Sequence, residues 1–414
     1  MIRKLILMIL VIVLVLKNYA QVPELDKSPH QNPSDSIPAA KVIPEKDMGD
    51  VIHHWFYRHA PLQVDAGLGK DTRKHFSIVP AIGYTLQTGF AGILSGNMAW
   101  YTDTAEYTKI SSVNTNVTYS QYKQILIPFQ INSWTKGNRY NIITDFRFIQ
   151  YPSVIYGLGG ETDPNQGFTI DFSGIKVHQT VMKALSHNFY IGLGYYFDKL
   201  WDIRATDSLS RDLKDKLTNK LGTTETASGV VLRFLYDNRL NQINPQQGLY
   251  FNVAYRYSPK ALGSDSTWHS VLIDARKYVQ FPKGSNNVLA FWFMEWFVAG
   301  GTSPYLLMPS TGWDDNYNTG RGYIQGRYRG NNMTYFETEY RFGITQNGLL
   351  GGVAFANLQH FSSDISAAYN TIFPGYGVGL RLKLNKHSGA NLCVDYGFGK
   401  NGSRGFFVNL GEIF

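Results

Sequence analysis

The chain has 414 residues, 43% hydrophobic and 14% aromatic but only 17% charged, with a formal net charge of +8. Soluble domains usually carry about 25% charged residues, and disordered chains combine high charge with few aromatics, so neither class fits. The single cysteine, Cys393, excludes an intramolecular disulfide and any zinc site built on cysteine spacing.

At the N-terminus, Arg3 and Lys4 precede an apolar run from Leu5 to Leu16, and Ala20 stands before Gln21. A charged start, a short apolar stretch and a small residue at its exit predict a secretory signal peptide over residues 1–20. The stretch is too short to cross a hydrocarbon core of about 30 Å as a helix. No later run of about 18 apolar residues occurs, which excludes a helical membrane protein. The signal holds three basic residues and no acid, so the rest of the chain keeps +5 of the +8. That surplus is dispersed, with no basic block of the kind that binds nucleic acid.

Residues 21–47 are rich in Pro, Ser, Asp and Lys, a composition that cannot bury a core and predicts a flexible linker. Over 48–75, Val51, Ile52, Trp55, Phe56 and His59 fall on one helical face. They predict a short amphipathic helix and lead-in, at the membrane rim or capping the main body of the fold. His53, His54, His59 and His75 lack an acidic partner at ligand spacing and read as surface histidines; no metal or cofactor is expected.

From Phe76 to Phe414 the pattern changes to period two, broken by Gly, Asn, Asp and Pro. Phe251, Val253, Tyr255 and Tyr257 alternate with Asn252, Ala254 and Arg256; Val378, Leu380 and Leu382 alternate with Gly379, Arg381 and Lys383. Leu392, Val394, Tyr396 and Phe398 oppose Asn391, Cys393, Asp395 and Gly397. One greasy face and one wet face on every strand define an all-β fold, a transmembrane antiparallel β-barrel over residues 76–414. Cys393 shares the wet phase and reads as a lumen residue.

Strands begin near Phe76, Phe90, Ser111, Lys123, Asn138, Phe168, His187, Thr226, Gly248, Trp268, Asn287, Asn332, Leu349, Phe373, Asn391 and Arg404, about sixteen in all. Turns near Lys136, Ser186, Lys283, Asn347 and Lys386 are short, whereas 151–167, 200–225, 302–331 and 361–372 are long. Short periplasmic turns and long outer loops are the outer-membrane arrangement. Phe406, Val408, Leu410 and the terminal Phe414 are expected on one face of the last strand, as a signal for barrel folding. In Val288–Val298, Phe291, Phe293 and Phe297 oppose Trp292, Met294 and Trp296, so both faces are apolar, and Glu295 is read as a lumen acid.

The stretch after the eleventh strand is long and contains Gly320-Arg321-Gly322-Tyr323 and Gly326-Arg327-Tyr328-Arg329-Gly330. A loop of this length without its own structure is usually functional or disordered. With Tyr335–Phe342, the stretch from Gly375 through Arg381 and Asp395 to Phe414, and the opening Val79-Pro80-Ala81-Ile82-Gly83-Tyr84, it resembles the BamA/TamA family, the bacterial surface antigen superfamily of outer-membrane barrels. The resemblance covers most of the chain after residue 75 and implies a barrel whose loop six folds into the lumen.

Spacing alone leaves two readings of that loop open: an outer loop whose arginines meet water or lipopolysaccharide phosphates, and an inserted loop. The resemblance implies the second, with Arg321, Gly322 and Tyr323 as the motif and Arg321 paired to Glu339. Glu337 and Asp395 are expected nearby. The family commonly has an acid where Asn357 stands, so Asn357 is expected to contact the loop without adding charge.

Family members that assemble or secrete proteins carry periplasmic POTRA modules before the barrel. The 55 residues between Gln21 and Phe76 are too few for one, so a member lacking them is expected, working with periplasmic or lipoprotein subunits. The resemblance implies insertion or translocation of proteins at the outer membrane. Pro80 interrupts the first strand and Gly405 and Gly411 thin the last, which fits a weak seam between them and equally a closed wall that these residues only bend. The alternative is a non-enzymatic scaffold, receptor or channel among outer-membrane lipids and lipopolysaccharide. Enzyme activity and a small-molecule substrate are not expected, because His178, His187, His269, His360 and His387 are scattered without a paired nucleophile.

Overall fold

A computed structural model describes residues 44–56, 72–85, 87–206, 223–363 and 371–414. The expected signal peptide, nearly all of the expected linker and most of the expected lead-in lie outside the described residues. Helix α1 is Met48–Phe56. The first wall strands are β1 (His75–Thr85), β2 (Gly89–Tyr101), β3 (Ile110–Ser120), β4 (Ile125–Trp134), β5 (Tyr140–Gln150) and β6 (Ser153–Ile155). Then come β7 (Phe168–Ser186), β8 (Phe189–Ala205), β9 (Glu225–Asp237), β10 (Gly248–Ser258) and β11 (Trp268–Gln280). The wall ends with β12 (Val288–Gly301), β13 (Asn332–Gly343), β14 (Leu350–Ser362), β15 (Phe373–Asn385), β16 (Ala390–Gly399) and β17 (Arg404–Leu410). The three-residue β6 continues β5 along β7 beyond a break at Tyr151-Pro152, so the wall is a nearly closed barrel of sixteen antiparallel strands, as its periodicity predicts.

Alternation sets the two faces. β1 alternates in burial along its whole length, with Phe76, Ile78 and Ile82 exposed on its outer side; Tyr376, Val378 and Leu380 form the same outward row on β15. Ser95, Asn114, Gln130, Arg147 and Arg256 face the lumen. In water the outer rows would be a liability, but against lipid they are the favourable surface.

Neighbouring antiparallel strands send successive connections to opposite rims. The long stretches after β6, β8, β12 and β14 therefore share one rim, and the tight turns after β7, β13 and β15 the other. Helix α1 sits at the tight-turn rim. Asp47 and Asp50 cap its start reciprocally, each accepting the other's backbone N–H at 3.0 Å. Both also hold the β15–β16 turn: Lys386 donates its backbone N–H to Asp47 at 3.0 Å and pairs with Asp50 at 3.0 Å. Lys383 pairs with Glu45 at 2.6 Å. These contacts tie the start of the helix to the β15–β16 turn.

The wall has one discontinuity. β1 is laddered to β2 from His75 to Thr85, and β17 to β16 from Arg404 to Leu410. The two strands lie side by side, yet no ladder joins them among the described residues. Val408 comes close to β1 at Gly83, where an added Cβ would sit 3.3 Å from Val408 Cγ2.

Two expectations are corrected. Glu295 is not a lumen acid: Trp292 and Met294 line the lumenal cavity, so Glu295 lies on the outward phase with Phe293 and Phe297, accepting a 2.7 Å hydrogen bond from Thr334 Oγ1. A strand apolar on both faces gives no sign of its phase. Phe414 does not continue the outer row of the last strand either. The strand ends at Leu410, Gly411 takes a left-handed φ of 83°, and the chain turns inward, burying Ile413 and Phe414.

Candidate functional site: the seat of loop six in the lumen

Loop six, residues 302–331 between β12 and β13, runs back into the barrel and is largely buried. Gly320 and Gly322 adopt φ of 77° and 107°, conformations that side chains strain to adopt, and together they present Arg321 to the wall. A Cβ on Gly322 would lie 2.5 Å from the Phe398 carbonyl oxygen, and one on Gly397 would lie 2.7 Å from Gly322 N. Loop and wall backbones are thus in contact. Gly322→Val is expected to unseat the motif while leaving the strands assembled, read as protease cleavage within 302–331 of a barrel that still migrates as folded.

The guanidinium of Arg321 donates to Glu337 Oε1, Glu339 Oε1 and Asp395 Oδ2 and stacks on Phe355 with its Cζ 3.7 Å from the ring centre. Glu337 and Glu339 are two apart on β13 and share a face; alone, two buried like charges would repel, and the arginine placed between them removes that conflict. The network continues. Arg341 Nε donates to Glu339 Oε2 at 2.8 Å, Arg381 bonds Asp395 and donates to Glu412 Oε2 at 2.9 Å, and Tyr335 donates to Glu337. Three guanidinium groups thus interleave with four carboxylates, and all of these side chains are nearly inaccessible.

The other predicted residues fall around this centre. Tyr323 donates its hydroxyl to the Pro374 carbonyl at 2.6 Å and accepts from Lys400 N at 2.8 Å, pinning the motif to β15 and the β16–β17 turn. Asn357 Nδ2 donates to the Arg321 carbonyl at 2.9 Å. A carboxylate could not make that bond, having no proton to give, so the amide serves the backbone while Asp395 serves the charge. Pro80 takes no part in this cluster and stands on the outer phase of β1 opposite Leu94. Gly411 is the bend that sends the C-terminus inward, and Phe414 closes an aromatic group with Trp292 and Tyr278 at ring separations of 5.2 and 6.2 Å.

Sequence reasoning missed how far the seat extends. The tip of the loop is built by Asp314, which accepts backbone N–H from Asn316, Asn318 and Thr319 at 2.8–3.1 Å. Asn318 then donates to the Ile413 carbonyl at 2.7 Å, joining loop six to the C-terminus. Asp315 reaches the opposite wall, meeting Lys176 at 3.3 Å. Nearer the long-loop rim, Glu225 accepts the backbone N–H groups of Tyr305 and Leu306 at 3.1 and 2.9 Å, and Arg327 holds Thr162 at 2.7 Å. The Asp and Arg residues two apart on lumenal strand faces were a usable signal for such pairs.

A sixteen-stranded transmembrane barrel, unladdered between its first and last strands and plugged by its sixth loop through a buried arginine, is a defined class of outer-membrane protein. The Omp85 superfamily domain matches residues 111–414. The chain belongs to that superfamily and resides in the outer membrane of a Gram-negative bacterium. Among solved structures it is similar to BamA from Haemophilus ducreyi lacking POTRA domains 1–3, at 13% identity and a TM-score of 0.51, covering 82% of this chain and 70% of that one. It is also similar to CdiB from Acinetobacter baumannii, at 13% identity and TM-score 0.52, covering 82% and 60%. CdiB from Escherichia coli gives 10% identity and TM-score 0.53, covering 83% and 63%. The chain thus spans less than two thirds of either CdiB chain, and these likenesses establish the fold. No curated protein matches the sequence.

Proposed function

We propose that this barrel inserts or translocates proteins at the outer membrane, together with a partner that supplies a periplasmic arm. The observation that carries the reading is the seam. Every other pair of neighbouring strands is bound by a ladder, while among the described residues none joins β1 and β17, which lie side by side. An unpaired strand edge templates incoming strands by adding them to the sheet, and a seam without ladder bonds is the cheapest place in the wall to part. The loop-six seat reaches the β17 side of this seam, since Asp395 lies on β16, which is laddered to β17, and Glu412 follows β17. The barrel performs no covalent chemistry in this reading.

A second reading, a scaffold or channel without insertase work, is favoured by one feature: a lumenal cavity of about 690 Å³ remains beside loop six.

A disulfide separates the two. The Cβ position of Gly83 lies 3.7 Å from Val408 Cβ, inside the range of about 3.5–4.5 Å that a disulfide spans. In a Cys393→Ala background, Gly83→Cys with Val408→Cys is expected to form a bond that stops insertion of a client barrel into proteoliposomes, with activity restored by reductant. Equal client insertion by the oxidised and reduced forms would remove the seam from the mechanism.

A further inference from the structure

The β9–β10 connection, residues 238–247, is the longest at the tight-turn rim, and it does not close as a hairpin beside its own strands. β9 stands halfway round the wall from β17, yet Glu412, which follows β17, donates its backbone N–H to the Ile243 carbonyl at 3.2 Å. Asn241 Nδ2 donates to the Ser388 carbonyl at 2.8 Å and Asn244 Nδ2 to the Gly389 carbonyl at 3.1 Å, both in the β15–β16 turn. The segment therefore crosses the mouth of the barrel. Arg239, Gln242 and Ile243 line the lumenal cavity of about 690 Å³, while Asn238, Leu240, Gln246 and Gln247 are exposed. One side of the segment faces the lumen and the other faces out, as the floor of that cavity.

Its two ends are held by different chemistry. At the base, the Arg239 guanidinium donates twice to Asp237 at 3.0 Å and lies 4.4 Å over the Tyr250 ring. The buried Lys109 donates to the carbonyls of Asp237 and Arg239. These are charge-assisted bonds out of reach of water, and they hold firmly. Gln242 ties the middle back to this base, accepting from Asn132 Nδ2 at 2.6 Å and donating to Asp237 Oδ2 at 3.1 Å. Beyond Arg239 no residue of the segment is charged, and its ties to the opposite wall are the three neutral bonds named above. Each contributes little net, because water offers the same bond once they part. The shape of this far end is carried within it: Asn241 Oδ1 accepts the backbone N–H groups of Ile243 and Asn244 at 2.8 and 3.1 Å. It can leave the opposite wall without unravelling.

We infer that residues 238–247 form a releasable strap that closes the tight-turn mouth of the lumen, rooted at Asp237 and Arg239 and detaching from Ser388, Gly389 and Glu412. A segment strong at one end and weak at the other opens at the weak end, well before the wall itself gives way. Detachment opens the floor of the cavity and frees the chain that follows β17 from its tie to Ile243. The turn that the strap grips from inside is gripped from outside by α1, through Lys386, so strap and helix share one anchor. The strap is independent of the seam, and its test leaves the insertase reading untouched.

Asn241→Asp combined with Asn244→Asp tests the strap. Asn241→Asp keeps the oxygen that Ile243 and Asn244 bond, but neither carboxylate has a proton to give the carbonyl it faces. The reporter is Ser112→Cys on β3, which lines the cavity, in a Cys393→Ala background. The detergent-purified full chain is treated with a charged maleimide. The double variant is expected to label about ten- to hundredfold faster than its parent, the scale of two lost neutral hydrogen bonds. The Glu412 amide is expected to exchange with solvent faster by a similar factor. Asn244→Asp alone should fall between the two and carries the test if the double variant does not fold. Folding is checked by heat-modifiable migration, and loop six by its protease resistance, so that access gained is not gained past that loop. Equal labelling of parent and variants would overturn the strap as the barrier. Unchanged exchange at Glu412 would overturn the three bonds as its latch, and labelling that rises only together with loop-six cleavage would move the entrance to the other rim.

Discussion

Arg321→Ala is expected to release loop six from the lumen without dismantling the wall. The substitution removes one of three guanidinium groups from a cluster holding four carboxylates, and leaves Glu337 and Glu339 side by side with no cation between them. Removing one partner of a buried ion pair costs about 3–5 kcal/mol, because the remaining charge stays desolvated and unmatched. The wall itself is held by ladders that do not involve Arg321, so the strain is relieved most cheaply by expelling the loop and admitting water. The measurable result is a lower temperature of heat-modifiable migration, together with trypsin cleavage at Arg327 and Arg329, which are buried in the seated loop. Arg321→Lys keeps the charge but not the fork that serves three carboxylates, and should fall between the two. Glu339→Gln combined with Arg321→Ala should cost less than the sum of the single changes, as residues of one network do. A loop as protease-resistant in Arg321→Ala as in the parent would mean that packing by Tyr305, Tyr323 and Tyr328 holds it, and that the arginine has another task.

The sequence made the wall legible because a strand between lipid and water must alternate. Every expected strand start lies close to an observed one, from Phe76 against His75 to Arg404 against Arg404. The Arg321–Glu339 pair was legible through a motif and a strand phase acting together. Period two tells which face a side chain takes, but not which residue it meets across a lumen. Arg381 was therefore placed on the wet face without being joined to Arg341 and Glu412, and the contact expected of Asn357 is made to the Arg321 carbonyl. Glu295 was misread where the pattern carries no phase, on a strand with phenylalanine on one face and tryptophan on the other. The C-terminus failed for a different reason: Gly411 interrupts the alternation, and a glycine in a left-handed turn looks in sequence like a glycine in a strand.

That turn gives Phe414 a structural task which a folding signal alone does not require. Its ring packs on Trp292 and Tyr278, Arg341 lies 5.2 Å over it, and its carbonyl accepts from Arg341 Nη2 at 2.9 Å. Arg341 in turn holds Glu339, the acid shared with Arg321, and the adjacent Ile413 carbonyl holds the tip of loop six through Asn318. Phe414→Ala is expected to destabilise the folded barrel by about 3–5 kcal/mol, the usual scale for emptying a buried phenylalanine site, and to raise protease cleavage of loop six as a secondary effect. Refolding into detergent in the absence of any assembly machinery isolates this role. If Phe414 serves only as a signal read by other proteins, the variant refolded this way will match the parent in heat-modifiable migration and loop protection, and its defect will be confined to cells. If packing against Trp292 and Tyr278 governs, the refolded variant will already melt earlier, with altered Trp292 emission, because the ring shielding that indole has gone. Phe414→Tyr tests the same point from the other side: it keeps a terminal aromatic but forces a hydroxyl into a pocket only 3% open, so a stability loss there, with assembly in cells intact, would assign the residue to the lumen.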